Sequence, residues 1–168
     1  NTTAANVLYG YWSHDIGGHM MADHIDPELY VRWMQFGVLS PFLRVHTSKS
    51  TSLFKEPWLY SSENFDILRN IIVDRYRLVP YIYTMARTTY DEGLAICRPL
   101  YYYWPEEKNA YDFKNEYMFG DNMLVCPITS PMQNGVSNVS VWLPEGNDWY
   151  EASSGTLLKG GQTVERDF

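Results

Sequence analysis

The chain has 168 residues, 45% apolar and 20% charged, with 20 acidic against 13 basic side chains and a formal net charge of -7. So much apolar matter can bury a sizeable core, which excludes a disordered tail, and the acidic balance without any Lys or Arg stripe argues against nucleic acid as a partner. No stretch reaches the roughly 18 to 20 apolar residues that span a bilayer, and residues 1–6 lack a signal peptide's basic start and apolar core, so the compartment stays open.

Val7 to Trp12 is a short apolar and aromatic run that ends in Ser13-His14-Asp15 and the pair Gly17-Gly18. This is the pattern of a buried strand delivering polar side chains into a loop. Asp26-Pro27-Glu28 then predicts a helix start, with Leu29, Trp33 and Phe36 on one face and a stop near Gly37. Val38 to Leu43 reads as a second strand, weakened by Pro41, delivering Arg44 and His46 at its end. After a polar, irregular stretch from Thr47 to Tyr60, Ser62 is read as the cap of a long helix with Phe65, Leu68, Ile72 and Val79 on one face. Pro80 should kink or divide that helix, and Gly93 should close it. Beyond Gly93, Ile96–Trp104, Tyr117–Phe119, Met123–Val125, Val136–Leu143 and Thr163–Val164 are short strand candidates separated by turn residues, which predicts an antiparallel sandwich. The aromatic run Tyr101 to Trp104 is expected in its core.

Cys97 and Cys126 are too few for a disulfide scaffold or a thiolate zinc site, and read as buried thiols. The densest polar cluster is His14, Asp15, His19, Asp23, His24 and Asp26. A metal-dependent hydrolase built on it is one reading, but the spacing matches no His-Glu-x-x-His helix, and the expectation is no metal and no cofactor. Asp23, His24 and Asp26 read as a solvated loop in which Asp26 caps a helix. Asp15 and His46 are different: two strand ends joined by one helix lie side by side if the strands are parallel, so both side chains would line one cleft as hydrogen-bonding groups for a polar substrate. Arg44 alternates onto the same side. Sugar hydrolysis by paired carboxylates needs two acids, and only Asp15 is well placed here.

At residues 12–18 (Trp-Ser-His-Asp-Ile-Gly-Gly), 29–37 and 41–46 (Pro-Phe-Leu-Arg-Val-His), the sequence resembles family 31 glycoside hydrolases, the α-glucosidase and α-xylosidase group. The likeness continues through 75–81, Arg98-Pro99-Leu100, 119–127, 141–144 and Trp149-Tyr150, in the family's order. It implies an α/β plus all-β chain: residues 1–93 as the last two β/α units of a (β/α)8 barrel, and 94–168 as the following β-sandwich domain. It also implies retaining, exo-acting cleavage of a terminal α-linked sugar, with α-glucosidase as the preferred reading, by two aspartates upstream of Asn1. On that reading Asp15 is the family's pocket aspartate and His46 the histidine that hydrogen-bonds the sugar's hydroxyls, with His19, Arg44 and Trp12 as further substrate-binding candidates. His19 stands where the family usually has Phe, and Val45 and Thr47 replace flanking Asn residues, which leaves the sugar preference open. A full barrel takes about 250 residues, so this chain is expected to be partial, inactive alone and prone to pair with the missing segment or with a second copy. The competing reading is a carbohydrate-binding or interaction module with no catalysis.

Overall fold

A computed structural model describes residues 3–20, 22–48 and 52–168. The predicted first helix is present as α1 (Pro27–Val38), where the Asp26 side chain accepts the Leu29 N–H and Pro27 occupies the first turn. Its buried face is Tyr30, Val31, Met34, Gly37 and Val38. Leu29, Trp33 and Phe36 share a face, as expected, and line an open cavity, with Trp33 and Phe36 also packed against the apolar clusters. The long helix is α2 (Ser62–Glu92), capped by Ser61, one residue earlier than expected, and closed by Gly93 at φ 74°. Pro80 does not divide it. The proline lies on the exposed face, where solvent can satisfy the carbonyl left without its donor. Val79 is likewise exposed. No helix among the described residues is long and apolar enough to cross a membrane.

Neither expected barrel strand is a regular strand. Ala4–Val7 is a 3₁₀ turn, and Val7, Leu8 and Tyr9 are exposed. Val38 ends α1 and the chain turns through Leu39 to Phe42. The carbonyls a second strand would offer to a neighbour are taken by Arg75 on α2, whose guanidinium donates to Val38 O and Ser40 O at 2.6 Å and to Pro41 O at 2.8 Å. What survives is a parallel contact: Ile16 bridges Val45, Ile16 N–H donates to Arg44 O at 3.1 Å, and Phe42 N–H donates to Trp12 O at 3.3 Å. Among the described residues this contact is an isolated bridge outside any named strand.

The second half is antiparallel throughout. β1 (Cys97–Pro99), β2 (Tyr117–Phe119) and β3 (Met123–Val125) form one sheet in that order; β4 (Asn138–Leu143) pairs with β7 (Gln162–Asp167), and β5 (Asp148–Glu151) with β6 (Thr156–Lys159). β2 and β3 fall where expected. The run from Ile96 does not: after β1 a 3₁₀ turn at Leu100–Tyr102 lifts Tyr102 and Tyr103 to the surface, and only Tyr101 and Trp104 stay half-buried. Arg98 explains the departure. It is buried, donates to Ala95 O and Asp121, and holds the Tyr103 hydroxyl, so Tyr103 covers a charge instead of joining the core. Neither cysteine is in a disulfide; Cys97 is buried, while Cys126 is half-buried.

Three apolar clusters hold these parts. Ile16, Tyr30, Val31, Met34 and Leu68 fix α1 and α2 under the residue 12–18 segment. Met85 of α2 packs with Ile96, Cys97, Tyr117, Phe119 and Val125, which joins the helices to the first sheet. Leu100, Ala110, Met118 and Trp142 join the sheets to each other. Each fully buried side chain of this size contributes about 1.5–3 kcal/mol, so Ile16, with no exposed surface, is a strong anchor for the neighbouring Asp15. The halves are also tied by Tyr117 Oη donating to Leu39 O and Tyr81 Oη donating to Phe119 O, both at 2.8 Å.

Candidate functional site

Two loops, residues 13–20 and 44–48, leave the parallel contact side by side. Asp15 precedes buried Ile16, and Arg44 and His46 flank Val45, so the Ile16 to Val45 bridge sets all three at one edge. Asp15 Oδ1 lies 3.1 Å from Arg44 Nη2, and its Oδ2 lies 3.3 Å from His19 Nδ1. The His19 ring stacks on His46, centroids 4.8 Å apart and planes 20° apart. The His19 carbonyl accepts from Ser48 N–H at 2.8 Å and from Thr47 Oγ1 at 3.2 Å, which ties the loops together.

The glycine pair makes this turn possible. Gly17 and Gly18 have φ of 81° and 85°, where a side chain is strained, and a Cβ on Gly17 would lie 2.6 Å from Lys55 Nζ. Lys55 reaches over the turn to donate to Gly18 O at 2.7 Å. Burial lowers its ammonium below the usual lysine range, while the Asp15 charge opposes that shift. Asp15 therefore has Arg44, His19 and the Lys55 charge around it.

His14 points into the fold. Its Nδ1 accepts from Trp33 Nε1–H at 2.7 Å, so its Nε2 carries the proton and donates to Ser40 Oγ at 3.1 Å, which donates in turn to Phe36 O at 3.2 Å. Burial lowers its pKa to about 4, which keeps this imidazole neutral near pH 7. Both nitrogens are spent on positioning the strand end, and a metal centre spanning His14 to Asp26 is not assembled: Asp23 and His24 are exposed and Asp26 caps α1. Among the described residues, the group whose donor atoms lie together is Asp15, His19 and His46, all within 4.8 Å of one another.

Asp15, His19, Arg44 and His46 are thus brought together; Trp12 is not. Its ring lies 4.9 Å from that of His14 and lines the cavity beside α1, about 710 Å³, with Trp33, Phe36, Tyr117 and the loop Pro127 to Pro131. Alternation separates Trp12 and His14 from Ser13 and Asp15. Sequence reasoning missed Lys55, which sits in a stretch with no periodic signal, and His14 as the pin that holds the strand end.

An acid and an imidazole thus stand at one edge of a parallel bridge, on two helices packed against antiparallel sheets. The sequence matches the glycosyl hydrolases family 31 TIM-barrel domain over residues 2–85 and the glycosyl hydrolase family 31 C-terminal domain over residues 93–168. The chain belongs to glycoside hydrolase family 31. It is 37% identical over 158 residues to an alpha-xylosidase of Saccharolobus solfataricus, covering 92% of this chain and 21% of that protein. It is 36% identical over 151 residues to human neutral alpha-glucosidase AB, covering 89% of this chain and 15% of that protein. A solved Flavobacterium johnsoniae GH31 dextranase complexed with isomaltotriose superposes with a TM-score of 0.82 at 34% identity, over 95% of this chain and 20% of that one. The chain therefore spans about a fifth or less of the length of these relatives.

Proposed function

We propose that this chain is part of a retaining, exo-acting α-glycosidase, read as an α-glucosidase, and that Asp15, Arg44, His46 and His19 form one wall of its sugar pocket. The observation that carries the reading is the convergence of Asp15 with Arg44, His19 and His46 at the end of two parallel segments. Sugar hydroxyls both donate and accept. The Asp15 carboxylate accepts hydrogen bonds from two of their O–H groups, while Arg44 and an imidazole nitrogen donate to their oxygens. The isomaltotriose bound by the dextranase and the alpha-glucosidase among the relatives support a saccharide as ligand.

The reactive aspartate pair is assigned to polypeptide outside this chain. Retaining hydrolysis needs two carboxyl groups about 5–5.5 Å apart, and the ion partners of Asp15 are Arg44 and His19. The exposed Val7, Leu8 and Tyr9 offer an edge on which further barrel strands, or a second copy, would pack. The test is turnover of an aryl α-glucoside and an aryl α-xyloside by the complete polypeptide and by this chain alone, with the product anomer followed by NMR. The complete polypeptide is expected to release the α-anomer first, with the glucoside preferred, and the isolated chain to give no turnover. Turnover by the chain alone would overturn the division of labour, and an inactive complete polypeptide would favour a sugar-binding module.

A further inference from the structure

We propose that Asp15, His19 and His46 form a binding site for a divalent transition ion of the zinc type, and that the ion competes with saccharide for the same place. The competition rests on the sugar-pocket reading; the ion site rests on geometry alone. Two imidazoles and a carboxylate are ligands that zinc accepts, with a fourth position left for water. Ligands around a tetrahedral ion at about 2.0–2.1 Å stand about 3.3 Å apart. Asp15 Oδ2 and His19 Nδ1 are already 3.3 Å apart, and the His46 donor lies within 4.8 Å of both, a gap that rotation of an exposed side chain closes.

A second observation singles out the same atoms. His19 Nδ1 is enclosed and makes no hydrogen bond, although Asp15 Oδ2 stands beside it. Its contact is the 3.3 Å ion pair with Asp15, the other proposed ligand, whereas both nitrogens of His14 are spent in hydrogen bonds. The site is reachable, since the side chains of His19 and Asp15 are 35% and 29% exposed. Arg44 opposes a cation through its contact with Asp15 Oδ1, but it is itself half exposed and leaves Oδ2 open to the ion. An ion held here would occupy the atoms proposed to receive sugar hydroxyls, so its effect is inhibition rather than catalysis.

The experiment is zinc titration of the chain by calorimetry, with the imidazole nitrogens followed by NMR in the unsubstituted protein. One ion per chain is expected, shifting the resonances of His19 and His46 and leaving those of His14 and His24 in place. His19→Phe should weaken zinc at least ten- to hundredfold, the loss seen when only an outer-shell partner of a metal ligand is removed. His24→Ala should not change it. Zinc that shifts His24 instead, an affinity unmoved by His19→Phe, or no binding would overturn the site. Repeating the titration with excess glucose or isomaltose on the complete polypeptide separates the two readings: weakened zinc binding supports both, and undiminished binding at His19 and His46 retains the ion site but overturns the competition and the sugar assignment.

Discussion

Replacing Asp15 with asparagine in the complete polypeptide is expected to lower kcat/KM for an α-glucoside by about 10² to 10⁴. A hydrogen bond to a charged group is worth about 1.5–3 kcal/mol; asparagine loses one such bond, weakens the other to a neutral one and leaves a sugar hydroxyl facing a donor, about 3–6 kcal/mol in all. Each 1.36 kcal/mol is a factor of ten in rate, which gives that range. Asparagine keeps the shape but turns one acceptor into a donor and leaves Arg44 without its partner 3.1 Å away. Ile16 and the cluster beneath it are untouched, so the melting temperature should change little. Steady-state kinetics with a thermal melt decides the matter: a loss under about fivefold in a well-folded variant would remove Asp15 from the pocket.

The second large effect concerns stability. Glu116, just before β2, is 2% exposed; its Oε1 accepts the Trp142 N–H of β4 at 2.8 Å, and its carboxyl also meets the Cys126 thiol. Burial pushes its carboxyl up to about 8, and burial together with this acid pushes the Cys126 thiol up to about 12. An unfolded glutamate loses its proton in the ordinary carboxylate range, near pH 4.5. Between there and pH 8 the folded chain holds a proton that the unfolded chain releases. The contribution is therefore complete below pH 4.5 and is lost as pH rises through about 8, by an amount on the order of a few kcal/mol. Glu116→Gln keeps the acceptor for Trp142 and cannot ionise. It is expected to melt several degrees above the unsubstituted chain at pH 8.5, to match it near pH 5, and to remove most of the pH dependence between. Parallel melting curves across this range, or a variant that melts lower at pH 8.5, would show that Glu116 is not a buried neutral acid.

Where local chemistry decides a structure, the sequence was sufficient. Asp26-Pro27 predicts the start of α1 because the cap and the fixed proline φ act within one turn, and Gly93 closes α2 because the left-handed position needs glycine. Tyr117–Phe119 and Met123–Val125 are apolar runs between turns and pair as expected. Residues whose conformation depends on distant partners were not legible. The segments 7–12 and 38–43 have strand composition, but a strand exists only through its neighbours, and Arg75 takes the carbonyls of the second. Tyr102 and Tyr103 are exposed because buried Arg98 reorganises the chain after β1, an event with no local signature. The hairpin β5–β6 was missed because it is largely exposed, with too few apolar residues to show alternation.

For the site, the motif spacing brought Asp15 and His46 together because two strand ends joined by a helix must be neighbours if parallel, and the Ile16 to Val45 bridge is that parallel contact. The side chains filling the space between them were harder to place. His19 joins through a glycine turn whose path depends on Lys55, while Trp12 and His14 face the helices through alternation that a broken strand made easy to misjudge.

The most direct measurement is a crystal structure of the complete polypeptide with an α-glucoside or iminosugar bound. Asp15 carboxylate oxygens and a His46 ring nitrogen should both lie about 2.7–3.2 Å from hydroxyls of one sugar ring. A ring held elsewhere, such as in the cavity between Trp12, Trp33 and the Pro127 to Pro131 loop, with neither side chain in contact, would contradict the account.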